Sequence, residues 1–293
     1  MREIGRILCP LDLSETSDHV VQHAVQFGRW YRAPITALHI CNPIVIPSTD
    51  FTVVGAPTVP ILTDDDINEI RHNVQTRFDS AGAGPVDVIV ESGHPAKRIV
   101  EIAGALPAGV IVMGTHGATG FQHLILGSVT EKVLRQAPCP VLTVPPRVRT
   151  TPSLPFTRIL CPVDFSESAR AALEFALSLS QERRAQLTIL YAFEWPSEEL
   201  SPFTAEYRHE VEQSAAAKLA ELSAGFEQRA SRPTIRVTRG KAYREILAAA
   251  SEESSDLIVI GVHGRNPLDL MLFGSTTNQV VRRATCPVLT VRH

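Results

Sequence analysis

The stretch "GTHGATGFQHLILGS" at 114–128 is answered 147 residues later by "GVHGRNPLDLMLFGS" at 261–275. Both read Gly-x-x-Gly, nine further residues, then Gly-Ser, although most of the side chains between have changed. The recurrence is wider than this motif. "GRILCPLDLSET" at 5–16 returns as "TRILCPVDFSES" at 157–168, and "APCPVLTVP" at 137–145 returns as "ATCPVLTVR" at 284–292. A chain written twice in this way must fold into two copies of one architecture. The segment "PPRVRTTPSLPF" (145–156) has four prolines and no periodicity, so it reads as a connection. The expected division is 1–145, a linker at 146–156, and 157–293.

Each copy alternates short apolar runs with amphipathic stretches. Strands are predicted near 4–11, 35–41, 86–90, 109–114 and 140–144, and again near 158–163, 186–192, 234–238, 256–261 and 287–291. Helices are predicted near 15–32, 64–80, 95–106 and 127–137, then 167–184, 203–229, 242–253 and 274–284. Runs such as "VIVMG" and "LIVIG" are apolar throughout, as parallel strands are when helices cover both faces. Strict β/α alternation implies right-handed crossovers and a doubly wound sheet. The predicted fold is α/β, two tandem five-stranded parallel sheets with strand order 3-2-1-4-5. "PVLTV" at each sheet edge would leave apolar surface and unpaired backbone groups, and two such strands can satisfy one another in a pseudo-two-fold pairing.

Composition narrows the function. With 28 basic residues against 31 acidic ones, nothing favours a nucleic-acid partner. The apolar segment 42–63 carries Pro43, Pro47, Pro57, Pro60, Gly55 and Asp50, which suits a surface flap and not a membrane span. The N-terminal residues run directly into a strand-like segment with no apolar signal region, and the five cysteines lack metal-type spacing, so a reduced, cytoplasmic protein is expected. Cys9 and Cys139, on the first and fifth strands, read as buried small residues too far apart for a disulfide.

In an open parallel sheet, ligands bind beyond the carboxyl ends of the strands where the order reverses. That crevice lies between the first strand, ending at Asp12, and the fourth, ending at Gly114; Asp164 and Gly261 mark it in the second copy. Gly114 and Gly117 would let bare backbone approach a ligand. Gly127-Ser128 would open a helix whose free amides and positive dipole end suit phosphate, with Ser128, Thr130, Ser275, Thr276 and Thr277 adding hydroxyls. Asp12 repels phosphate and suits a ribose hydroxyl or a base amino group; alternatively it favours the helix that follows. Ser14 and Ser166 read as N-caps. His116 and His263 read as loop-packing residues, since no catalytic arrangement can be built around them. The absence of Gly-x-x-x-x-Gly-Lys-Ser/Thr, and of a Rossmann fingerprint after the first strand, argues against P-loop NTPase and dehydrogenase chemistry.

Gly-x-x-Gly-x9-Gly-Ser after the fourth strand, with Pro-x-Asp ending the first, resembles the universal stress protein family, and the likeness covers both halves. The resemblance implies an adenine nucleotide alpha hydrolase-like fold paired through its fifth strands, ATP as ligand with Mg or Mn bound through the phosphates, and a stress-response role. It also leaves room for a homodimer. Carried over, it places Leu11 and Asp12 at the adenosine end, Ile40 on adenine, and Met113 and Gly114 under the nucleoside. Gly117, Gly127, Ser128, Val129 and Thr130 would hold the phosphates. The second set is Val163, Asp164, Ala192, Ile260, Gly261, Gly264, Gly274, Ser275, Thr276 and Thr277. Asn266-Pro267 and the loss of a counterpart to Gly120 set the second copy apart. Three functions follow: a nucleotide-dependent regulatory module, which signals through Phe121, Leu124, Ile125 and Leu126; a slow metal-dependent ATPase; and a nucleotide-free scaffold or small-ligand carrier using the 42–63 flap.

Overall fold

A computed structural model describes residues 4–41, 62–116, 126–146, 156–183, 185–194, 205–224, 233–262 and 274–292. The first half contains β1 (Ile7–Pro10), α1 (Ser17–Tyr31), β2 (Ile35–Cys41), α2 (Asp64–Ser80), β3 (Asp87–Ser92), α3 (Pro95–Ala105), β4 (Val110–Gly114), α4 (Ser128–Gln136) and β5 (Val141–Val144). The second repeats the order as β6 (Arg158–Pro162), α5 (Glu167–Arg183), β7 (Gln186–Phe193), α6 (Ala205–Ala224), β8 (Thr234–Arg239), α7 (Ala242–Glu252), β9 (Leu257–Gly261), α8 (Ser275–Arg283) and β10 (Val288–Val291).

Local chemistry sets several boundaries. Thr63 and Asp66 form a reciprocal capping box at the start of α2, with Thr63 N donating to Asp66 Oδ2 at 2.9 Å and Asp66 N to Thr63 Oγ1 at 3.2 Å. Pro95 opens α3, where its missing N–H costs no helical bond. Arg32 ends α1 in the left-handed region at φ 53°, and Pro34 follows just beyond.

The sheet order is β3-β2-β1-β4-β5-β10-β9-β6-β7-β8. Each half has the expected 3-2-1-4-5 order, but the two units join into one ten-stranded sheet. All ladders within a half are parallel, and the junction between β5 and β10 is antiparallel. The junction is centred on Leu142 facing Leu289. Thr143 Oγ1 donates to the Val288 carbonyl and Thr290 Oγ1 to the Val141 carbonyl, both at 3.1 Å, so the pseudo-two-fold is kept down to single hydroxyls.

Strand alternation divides the core into two layers. Ile7, Cys9, Val110 and Val112 face the layer under α1, α2, α5 and α6; Leu8, Ile111 and Met113 face the layer under α3, α4, α7 and α8. Both layers contain residues from both halves. The chain re-enters the second half at Phe156, which packs against Phe27 and Trp30 of α1 with ring centroids 6.1 and 5.9 Å away. Burial pushes the Cys9 and Cys161 thiols up, and takes those of Cys139 and Cys286 up to about 12, so these four behave as small apolar residues. No described helix is long and apolar enough to cross a membrane. The flap at 42–61 and the connection at 147–155 lie outside the described residues.

Candidate functional site

Where the strand order reverses, between β1 and β4, the first half opens a cleft of about 440 Å³. It lies at the carboxyl ends of the strands, within the volume range of small-molecule sites. Leu11, Asp12, Ile40, Met113, Gly114, Gly127, Ser128, Val129 and Thr130 all line it. They come from four places in the sequence and meet because β1, β2, β4 and α4 end or begin there. Gly117, the remaining member of the first set, lies outside the described residues, as does Gly264 of the second.

One end of the cleft is the start of α4. Gly127 is its N-cap, with no side-chain cap, and its own N–H is donated to the Thr115 carbonyl at 2.9 Å. The first-turn amides of Ser128, Val129 and Thr130 lie in a part of the helix that offers no intrahelical acceptor. Ser128 is exposed at the mouth. The Thr130 hydroxyl is not available as a phosphate donor. It is buried and donates to the Gly114 carbonyl at 2.9 Å, as Thr277 does to Gly261 at 2.8 Å. These two threonines fasten helix to strand, which corrects the role expected for their hydroxyls.

The β1–α1 loop forms one wall. Asp12 Oδ1 accepts from Ser14 N at 3.1 Å, Ser14 Oγ at 2.7 Å and Ser17 Oγ at 2.9 Å, so much of its charge organises the loop. Leu13 is held there at φ 61°, and Phe165 at φ 65° in the second half, where β-carbon crowding disfavours both. Ser14 is not the N-cap: Thr16 takes that position without a side-chain cap bond. Ser166 does act as the cap expected of it, accepting from Ala169 N at 3.2 Å.

The other end of the cleft is more apolar, lined by Leu38, Ile40, Ile99 and Met113. His39 also lines it, and the sequence reading missed it. Its Nδ1 lies 2.9 Å from the Leu11 carbonyl, which can only accept, so the proton sits on Nδ1 and Nε2 is the acceptor of the neutral ring. Its place next to Ile40 at the end of a strand was the available signal. His116 lines the cleft with Nδ1 2.9 Å from Thr115 Oγ1, in keeping with a packing role; His263 lies outside the described residues. Leu126, expected on an apolar signalling surface, is buried in the core, and Phe121, Leu124 and Ile125 are outside the described residues.

In the second half, Val163, Asp164, Ala192, Ile260, Gly261, Gly274, Ser275, Thr276 and Thr277 take equivalent positions just beyond β6, near the ends of β7 and β9, and at the start of α8. Tyr191 stands where His39 does, its ring 5.0 Å from that of Phe165.

The sequence profile of the universal stress protein family matches residues 3–145 and, separately, 155–292. The chain belongs to the universal stress protein family. It is a tandem member. Its relatives include the universal stress protein Rv2005c of Mycobacterium tuberculosis, 27% identical over 267 residues, which span 88% of this chain and 87% of that protein. The universal stress protein MJ0577 of Methanocaldococcus jannaschii is 29% identical over 152 residues, 47% of this chain and 93% of its own length, and so corresponds to one half. The crystal structure of a universal stress protein from Archaeoglobus fulgidus shares the fold with a TM-score of 0.69 at 24% identity, covering 100% of this chain and 97% of that one.

Proposed function

We propose that this universal stress protein binds ATP in the cleft of its first half and acts as a nucleotide-dependent regulatory module. The observation that carries the reading is convergence: nine residues singled out by motif or by the family resemblance line one cleft at the strand-order reversal. The cleft is graded in polarity, as a nucleotide requires. The first-turn amides of α4 meet phosphate, backed by the positive end of the helix dipole. Ile40, Met113 and Ile99 offer an apolar bed for adenine, and Asp12 and His39 supply acceptors for ribose hydroxyls or the base amino group.

A divalent cation would have to arrive with the phosphates. Among the described residues no cluster of three or more His, Cys, Asp or Glu is placed to hold a metal, and phosphate-borne Mg²⁺ needs only one or two protein carboxylates. Asp12 is the carboxylate that lines the cleft, and its loop bonds leave it better suited to orienting ligand than to moving protons. The emphasis therefore falls on binding over turnover.

Isothermal titration with ATP and Mg²⁺ tests the reading. Saturable heat is expected from the wild-type chain and none from Gly127→Val, whose branched side chain would meet the Thr115 carbonyl. A wild-type protein silent at millimolar ATP overturns it.

A further inference from the structure

The second half carries the same glycines and the same aspartate, yet its backbone runs differently where the cleft should open. A Cβ built on Gly114 would find Val20 Cγ2, at 3.5 Å, as its nearest neighbour on α1. A Cβ on Gly261 would lie 2.7 Å from both the carbonyl carbon and Oγ of Ser168, and 2.8 Å from Ala169 N. The first turn of α5 is thus pressed directly onto the end of β9. Burial agrees with this: Thr16, Gly114 and Gly127 are half-buried and line the first cleft, whereas their counterparts Ser168, Gly261 and Gly274 are buried.

The difference arises at the helix start. In the second half Ser166 caps α5, and its carbonyl accepts from Arg170 N at 2.9 Å, so the helix begins at Glu167. In the first half the Ser14 carbonyl accepts from Ser17 N at 3.1 Å in a tight turn, and α1 begins only at Ser17, two positions later in the repeat. Arg77 of α2 holds that turn. Its guanidinium donates to the Leu13 carbonyl at 3.1 Å, the Ser14 carbonyl at 3.3 Å and Asp18 at 2.5 Å, while Nε donates to Asn73 Oδ1 at 3.0 Å. A planar fork can bridge two carbonyls in this way, and on the Ser14 carbonyl it competes with the first hydrogen bond of an earlier helix. Aligned on their buried residues, Val74 and Phe78 against Ala215 and Leu219, α2 and α6 put Lys218 at the place of Arg77. Arg170 stands at the place of Asp18, two cations where the first half has an ion pair.

We infer that the two halves are unequal. A nucleotide enters the N-terminal cleft alone, and Arg77 is the positioning residue that keeps this cleft open by holding the β1–α1 loop away from β4. The inference rests on the nucleotide reading above and specifies which copy of the site is used.

Titration of the full chain with ATP and Mg²⁺ is expected to give one nucleotide per chain, and native mass spectrometry a single added mass. Arg77→Met keeps the apolar stem and removes the fork. It is expected to weaken ATP about tenfold while the ligand-free melting temperature changes little. Amide exchange in the 11–19 segment is expected to quicken in the same variant. Arg77→Lys should recover only part of the affinity, because an ammonium group cannot bridge the two carbonyls with fixed geometry. If Arg77→Met does not fold, Arg77→Lys carries the same comparison. Two equal sites per chain, or unchanged affinity in the variants, overturns this inference and leaves nucleotide binding standing. A wild-type chain that binds no ATP removes both.

Discussion

Single side chains fix the local geometry of each half, some in both copies and some in one. Thr130 is a fastener: its hydroxyl satisfies the Gly114 carbonyl at the floor of the cleft. Thr130→Val keeps the shape and strands that carbonyl, so a loss of about 1–2 kcal/mol in urea unfolding is expected, together with weaker ATP binding. His23 is a second case. It is buried in α1, and its Nδ1 lies 2.7 Å from the His19 carbonyl. Burial is the main cause of a pKa held below the usual 6.5. The folded state therefore favours the neutral ring. The stability this residue contributes is fully present above the unfolded value of 6.5 and is lost as pH falls through that value towards the folded one. The second half has Phe175 at the equivalent place, so His23→Phe suits the scaffold and should flatten the fall in melting temperature between neutral and mildly acidic pH. An unchanged pH profile in that variant would count against His23.

At the scale of elements, the β5–β10 ladder is where two sheets become one. Leu142 and Leu289 face each other at its centre, both without exposure to solvent. Leu142→Asp would place a carboxylate there with no partner, at a cost of several kcal/mol. The halves should then come apart or unfold, seen as dye binding to newly exposed apolar surface and as proteolysis within 141–144. The start of α1 shows the same sensitivity in a gentler form. One arginine from a neighbouring helix changes where a helix begins, because the first intrahelical acceptor can be taken by a stronger donor.

For the whole molecule, the two core layers each run through both halves, so the chain is expected to unfold as one unit. Phe156 helps to ensure this, buried against the rings of Phe27 and Trp30. Phe156→Ala would leave a cavity in that cluster and lower stability by about 3–5 kcal/mol, with a changed Trp30 emission. A single coincident transition by fluorescence and circular dichroism is expected for the wild type. Two separate transitions would show that the halves are coupled only weakly.

The repeat and the alternation of apolar runs with amphipathic stretches were legible in the residues, because periodicity and turn chemistry are local properties, while the strand order was supposed for a doubly wound sheet. Asp12, Gly114, Gly127, Ser128 and Thr130 of the first cleft were legible too, since glycines and an aspartate at strand ends mark a crossover wherever it folds. Leu11, Ile40, Met113 and Val129 were reached through the family resemblance alone. His39 was missed: its place beside Ile40 at a strand end was a faint signal, and its bond to the Leu11 carbonyl exists only once β1 and β2 lie side by side. The commitment of Thr130, the late start of α1 and the narrowing over Gly261 were unreadable. Each depends on a group brought in from another element: the Gly114 carbonyl, the Arg77 fork and the Ser168 backbone. The amino-acid order alone determined that there would be two copies of one fold and where each copy would present its backbone amides. Only tertiary packing decided how open each copy is, because that depends on how closely segments far apart in the chain approach one another.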